Sequence, residues 1–299
     1  MTGNYWVVSL DWLCSGYRRA VTEYKPMLIL IIFTCVLLVG CAASNGYRME
    51  NSDYGVFIGA DKETLNTILD DSGNYEIAVI EGQEFSADEI SGFKMSGRRI
   101  YSYLNVGSIE TFRPYYTDFE EGILGEYENW PDEYWIDVSD KRWQDYIAET
   151  LAEELYGKGI DGFFIDNCDV YYQYQTDEIY NGLINIMERL NEYDIEIIIN
   201  GGNDLVSKLI LDGKSELIDG INQEGVFSSI KDYDNDVFTK QDKGETEYFT
   251  QYLDMVKKEG LDVYLLEYTT DSGLAKEIET YCSREGFRYY ISCSVGLDG

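Results

Sequence analysis

The chain has 299 residues, 44% of them hydrophobic, enough for one large core rather than a disordered chain. With 56 acidic and 23 basic residues its formal charge is −33, a field that repels phosphate and nucleic acid and attracts cations. Histidine is absent. That excludes Ser-His-Asp and Cys-His triads and the histidine-containing zinc and non-haem iron sites, so acid–base chemistry must rest on Asp, Glu, Lys, Tyr or Cys.

Met27 to Gly40 read MLILIIFTCVLLVG, an uncharged run of 14 residues behind Arg18, Arg19 and Lys25. A membrane span needs about 20 residues, whereas the apolar core of a signal peptide spans about 7–15. Leu38-Val39-Gly40-Cys41 then resembles a bacterial lipobox, with an uncleaved signal anchor as the competing reading. The lipobox implies a signal region over 1–40, lipidation at Cys41 and a polar tether over 41–52. The domain over 53–299 is then expected on the extracytoplasmic side of a bacterial cell membrane. Beyond Cys41 only Cys168, Cys282 and Cys293 remain, an odd and scattered set that suits buried free thiols better than a disulfide framework.

From Tyr54 onward, short apolar runs alternate with amphipathic stretches. Eight strands are predicted: Tyr54–Ile58, Ile77–Ile80, Ile100–Val106, Gly162–Ile165, Glu196–Ile199, Ile218–Ile221, Val263–Leu266 and Tyr289–Ser292. Between them, Trp143, Ile147, Leu151 and Leu155 recur every fourth residue, as do Tyr248, Tyr252 and Val256, the spacing of a helix face turned to a sheet. Asp61, Asp140 and Asn203 are assigned to helix caps. Eightfold alternation predicts an α/β fold, a single (β/α)₈ TIM barrel. The rival is an open doubly wound sheet, but neither glycine-rich nucleotide fingerprint is present. The segment Thr111 to Asp137, with Trp130 and Trp135, is read as a loop lining one side of a cleft.

Barrel chemistry sits at the C-terminal ends of the strands. Those ends carry Glu81, then Glu110 and Arg113, then Asp166, Asn167 and Asp169, then Asn200, Glu224 and Glu267. Asp166 follows Phe163-Phe164-Ile165 directly and Glu224 follows Ile221-Asn222-Gln223, so both carboxylates emerge from the core, where their pKa values are open to tuning. Two carboxylates across a cleft are what glycoside hydrolysis requires; an ion-pair or cation site remains the alternative. The other strand-end residues, together with Trp135, are candidate substrate contacts. Trp130, Trp135, Tyr171 and Tyr172 are candidates for stacking on sugar rings.

The segments Tyr103-Leu104-Asn105-Val106-Gly107-Ser108-Ile109-Glu110, Trp135-Ile136-Asp137-Val138, Asp161-Gly162-Phe163-Phe164-Ile165-Asp166-Asn167-Cys168-Asp169 and Asn200-Gly201-Gly202 resemble the endo-α-1,4-polygalactosaminidase family, glycoside hydrolase family 114, from about Tyr54 to the C-terminus. The resemblance implies a barrel that cleaves galactosamine-rich polysaccharide, with Asp166 as nucleophile and Glu224 as acid/base. Glu81 departs from the Asp expected at its position. The chitinase pattern is disfavoured, because Phe164 stands where it needs an acid and no Glu closes the run. The expected partners are a polysaccharide and, through the lipid anchor, the membrane. No cofactor, metal or nucleic acid is expected, and the chain is expected to be monomeric. A glycan-binding lipoprotein without activity and a cation-binding surface protein are the alternative functions.

Overall fold

The computed structural model describes residues 53–299 apart from 72–74, 96 and 129. The signal region, Cys41 and the tether lie outside the described residues. In chain order the strands are β1 (Tyr54–Phe57), β2 (Ile77–Ile80), β3 (Arg99–Asn105), β4 (Ser108–Glu110), β5 (Ile123–Glu126), β6 (Glu133–Ile136), β7 (Gly162–Asp166), β8 (Glu196–Asn200), β9 (Gly220–Glu224), β10 (Ser228–Asp232), β11 (Val237–Lys240), β12 (Asp262–Tyr268) and β13 (Arg288–Ser292).

Eight of these form one parallel sheet in the order β1-β2-β3-β7-β8-β9-β12-β13, with helices between them. The order never reverses, as a doubly wound sheet must at its switch point. The first and last strands pack side by side, with the Phe57 ring edge-on to Tyr290 at 5.2 Å, and beyond them Gly59 N–H donates to the Leu297 carbonyl at 3.2 Å. The fold is therefore a TIM barrel, and the eight predicted strands are its staves. The largest shift is at the sixth, predicted over Ile218–Ile221 and found as β9. Ile218 is buried, but it caps the 3₁₀ turn Ser215–Leu217, so its apolar character reports burial and not ladder membership. The ladder instead runs up to Glu224, which is its last residue.

The helical stretch over residues 141–157 shows how sequence becomes packing. The Asp140 carboxylate accepts from Arg142 N–H at 2.8 Å and caps the stretch, as expected. Trp143, Ile147, Leu151 and Leu155 are all buried against the barrel. A strict four-residue repeat drifts against a 3.6-residue helical period; a π turn at Ile147–Leu151 widens the helix there and keeps the stripe on the sheet. Trp143 Nε1 also donates to the Val106 carbonyl at 2.8 Å, tying this stretch to the chain leaving β3.

Four expectations need correction. Tyr252 and Val256 are buried, but Tyr248 is 49% exposed and leaves the stripe, because its hydroxyl accepts from Asn203 Nδ2 at 2.7 Å. Asn203 is therefore no cap: Gly202 holds the N-cap position and Asn203 opens the helix Asn203–Leu211. Asp61 does bond Thr64 N–H at 2.9 Å, as a cap would. The segment 111–137 is no simple loop, since β4, β6 and β5 form a three-stranded antiparallel sheet. A second excursion, the β10–β11 hairpin, was not anticipated, because its strands are short and half-exposed and carry no continuous apolar run. Cys168 and Cys282 are buried free thiols as expected, whereas the free Cys293 is exposed.

The Trp143 anchor is testable by urea unfolding. Trp143→Ala is expected to cost about 3–5 kcal/mol. Trp143→Phe keeps most of the volume but strands the Val106 carbonyl, at about 1–3 kcal/mol. Two variants of equal stability to the wild type would show that the indole does not anchor the barrel.

Candidate active site

A cleft of about 580 Å³ opens at the C-terminal ends of the barrel strands. Asp166 ends β7, Asn200 ends β8 and Glu224 ends β9, so three adjacent strands deliver their last side chains to one place. Asn200 Nδ2 donates to Asp166 Oδ1 at 2.9 Å and to Glu224 Oε1 at 2.7 Å. The two oxygens it joins are thus no farther apart than the sum of those bonds, about 5.6 Å. Asn200 Oδ1 accepts from Asn222 Nδ2 at 2.7 Å, and Asn222 Oδ1 accepts from the Tyr54 hydroxyl at 3.0 Å.

Burial raises the Glu224 pKa to about 7; the Asp166 charge adds to this, while bonds from Asn200 and Tyr268 oppose it. The Tyr268 hydroxyl donates to Glu224 Oε2 at 2.8 Å. Burial also raises Asp166, but Asn200, the Asn167 backbone N–H and the Tyr103 hydroxyl pull it down. Two carboxyls that share one donor titrate as a pair. With a backbone N–H among its three donors, Asp166 is the better anion, and Glu224 is the better holder of the shared proton. Such divergence is how two carboxylates divide the roles of nucleophile and acid.

Around this pair, Asn167 stands at φ 62° and its Nδ2 donates to Glu133 Oε1 and to Ser108 Oγ, both at 2.8 Å. The chain passes so close here that a Cβ on Gly107 would lie 1.7 Å from the Asn167 carbonyl oxygen. Asp169 lines the cleft, accepts from Gly202 N–H at 3.0 Å, and is raised to about 6 by burial. Gly201 stands at φ 63°, where a Cβ would meet Asp169 Oδ2 at 2.7 Å. Glu110 also lines the cleft.

Four predicted contacts do not reach the cleft wall among the described residues. Arg113 is buried in ion pairs with Glu81 (2.8 Å) and Glu110 (3.0 Å). Burial opposes its charge, but the bond to Glu110 and the charges of both partners hold its pKa above the ordinary value. Arg113 and Glu81 thus brace Glu110 from behind. Trp135 is buried and stacks on Tyr127 at 4.3 Å, and it is Tyr127 that faces the cleft. Glu267 is wholly buried. It accepts from Phe227 N–H at 3.0 Å and from Ser228 N–H and Oγ at 2.8 and 2.5 Å, holding the turn out of β9. Strand side chains alternate faces, so the residue of β12 that meets Glu224 is Tyr268.

Of the aromatic candidates, Trp130 lines the cleft and meets Tyr233 of the β10–β11 turn edge-on at 6.0 Å. Tyr171 packs on Tyr180, and Tyr172, though exposed, is not part of the lining. Sequence reasoning missed Glu133, Tyr103, Tyr268 and Tyr233. Glu133 was hidden inside the supposed loop; its Oε1 accepts from Asn167, Asn105 and Ser108, and burial raises it to about 7.

The sequence profile described as glycoside-hydrolase family GH114 matches residues 53–295. The fold is similar to the glycoside hydrolase domain of PelA from Pseudomonas aeruginosa, at TM-score 0.67 and 16% identity over 82% of this chain and 96% of that one. It is also similar to Ega3 from Aspergillus fumigatus, whose structure is a complex with galactosamine, at TM-score 0.62 and 16% identity over 83% and 92% of the two chains. A curated protein from Thermotoga maritima, described as uncharacterized, is 22% identical over 213 residues, 62% of this chain. The chain spans 64% of that relative's length.

The raised carboxyls make stability pH-dependent. Glu133, Glu224 and Glu267 move from the ordinary 4.5 to about 7. A carboxyl with a higher pKa in the folded state binds its proton more tightly there, so native stability falls as pH rises between those two values. The urea midpoint is expected to be higher at pH 5 than at pH 7.5. Glu224→Gln, which carries no proton to lose, is expected to flatten that slope. A midpoint that rises with pH over this window would refute the assignment.

Proposed function

Because the chain belongs to glycoside-hydrolase family GH114, we propose that it is an endo-acting hydrolase of galactosamine-rich polysaccharide, working by retention through Asp166 and Glu224. The carrying observation is the cleft's charge. Glu110, Glu133, Asp166, Asp169 and Glu224 line it, and no lysine or arginine is among the described residues that do. Such a surface attracts an amino sugar bearing a free ammonium group. The likeness to a fold seen with galactosamine agrees with this reading.

In the proposed reaction, Glu224 gives its proton to the glycosidic oxygen as Asp166 attacks the anomeric carbon, and a glycosyl ester on Asp166 forms as the leaving chain departs. Glu224, now ionised, takes a proton from water, whose oxygen attacks the same carbon and frees Asp166. Carboxyls of retaining enzymes lie about 5–5.5 Å apart and those of inverting enzymes about 6.5–9.5 Å. The bridge through Asn200 favours the shorter class. Tyr268 stabilises Glu224 when it is ionised, and Trp130 and Tyr233 offer apolar faces to sugar rings. We further propose that Cys41 carries a lipid that holds the domain on the extracytoplasmic face of the cell membrane.

Four measurements test this. The soluble domain, incubated with amino-sugar polymers, is expected to yield galactosamine oligosaccharides by mass spectrometry; intact polymer throughout the panel would sink the reading. Asp166→Asn and Glu224→Gln are each expected to lower turnover by about 10²–10⁴-fold. On a substrate with a good leaving group, Glu224→Gln should still show a burst of release and Asp166→Asn none; the reverse pattern would exchange the two roles. For the anchor, Cys41→Ser should move the protein out of the membrane fraction or stall its processing, and unchanged retention after signal cleavage would count against lipidation.

A further inference from the structure

Asn222 lies two residues before Glu224 on β9, on the same face of the strand, and is completely buried. It pairs in register with Asn200 across the β8–β9 ladder, so their side chains are neighbours inside the barrel. Tyr54 stands on β1, three staves away around the sheet, and its hydroxyl reaches across the interior to Asn222. Neither residue lines the cleft. Barrel interiors are normally filled by branched apolar side chains, and a buried amide is costly unless its hydrogen bonds are met.

An asparagine amide has two ends of nearly equal shape and opposite polarity. Packing alone therefore does not tell Asn200 which end to present to the carboxylates. With Nδ2 forward it donates to both; with Oδ1 forward it repels both. The carboxylates favour Nδ2 forward, and the bonds behind reinforce that choice and hold the amide plane. The Tyr54 hydroxyl donates to Asn222 Oδ1, and Asn222 Nδ2 donates onward to the Asn200 Oδ1 that faces backward.

We infer that Tyr54 and Asn222 are positioning residues of the reaction, a buried relay that locks the Asn200 amide with its Nδ2 toward Asp166 and Glu224. The roles of those carboxylates rest on the proposed function; the relay's effect on their titration does not. The titratable groups that interact with Glu224 are Asp166, Asp169, Tyr268, Tyr233, Tyr127 and Tyr54, and those that interact with Asp166 are Glu224, Asp169, Glu110, Glu133, Tyr103, Tyr127, Tyr268 and Cys168. Burial holds the Tyr54 pKa well above its ordinary value, so its removal takes away a hydrogen bond and not a charge.

The experiment compares Tyr54→Phe, Asn222→Leu and Asn222→Val with the wild type. Asn222→Leu is the sharpest probe, because it removes the donor to Asn200 Oδ1 without adding a group that itself titrates. Carboxyl titration of Asp166 and Glu224, followed by ¹³C NMR, is expected to move upward by about one pH unit or more in both Asn222 variants and by less in Tyr54→Phe. With a cleavable polymer, kcat should fall by about 10–100-fold, the scale known for groups that orient metal ligands from behind, with KM little changed and both limbs of the pH profile displaced upward. A purely structural role would lower the melting temperature and leave the titrations in place. Unmoved titrations in variants that keep the wild-type melting temperature overturn the relay. Should the Asn222 variants fail to fold, unmoved titrations in Tyr54→Phe overturn it. A wild type that cleaves no polymer overturns the proposed function alone, since the NMR titration still reads the relay.

Discussion

One amide nitrogen holds the site together. Asn200 Nδ2 spans Asp166 and Glu224, and among the described residues no lysine or arginine lines the cleft that holds them. Two acids this close cannot both ionise cheaply at neutral pH, because each raises the other and burial raises both. A lysine in place of Asn200 would satisfy them too well, leaving two tightly paired anions and no acid. A neutral donor shared between them is a weaker partner, and it leaves one proton in the pair to be exchanged. The parallel ladder makes this possible by ending three neighbouring strands on Asp166, Asn200 and Glu224.

The remaining polar residues hold that arrangement at one remove. Arg113, itself paired with Glu81, holds Glu110 in place. Glu267 gathers the backbone of Phe227 and Ser228, and so fixes the turn that leaves β9 just after Glu224. Asn105, Ser108 and Asn167 converge on Glu133 and hold β6 against the ends of β3 and β7. The two excursions then meet over the cleft where Trp130 touches Tyr233. Buried charge is tolerated at each of these places because its hydrogen bonds are met.

The barrel itself was legible because staves buried on both faces read as continuous apolar runs, and Asp166 because such a run stops at it. Legibility failed where another signal intruded. Ile218 is apolar for a capping turn, not for a strand. Glu267 is a strand-end acid of the wrong parity, so the side chain beside Glu224 is its neighbour Tyr268. Glu133 lies on β6, only half-buried and inside an insertion without regular alternation. Asn222 and Tyr54 are linked across 168 positions of sequence, and nothing local to either announces the other.

The two ends of the barrel treat charge in opposite ways. At the N-terminal end, Arg99 joins Glu76 and Glu196, and Arg288 joins Asp53 and Glu76, so acids there are neutralised and the strand ends are secured. At the C-terminal end five acids line one cleft with no lysine or arginine among the described residues that line it, and the repulsion there would be relieved by a positively charged ligand. On the proposed reading this has a consequence for the working pH. An ammonium entering the cleft lowers the pKa of every carboxyl it faces, Glu224 among them, just as that acid must still hold its proton. A starting value of about 7 leaves room for that fall, provided the surroundings are mildly acidic. The desolvation that raises Glu224 in the empty cleft is thus what keeps it an acid once a cationic sugar has bound.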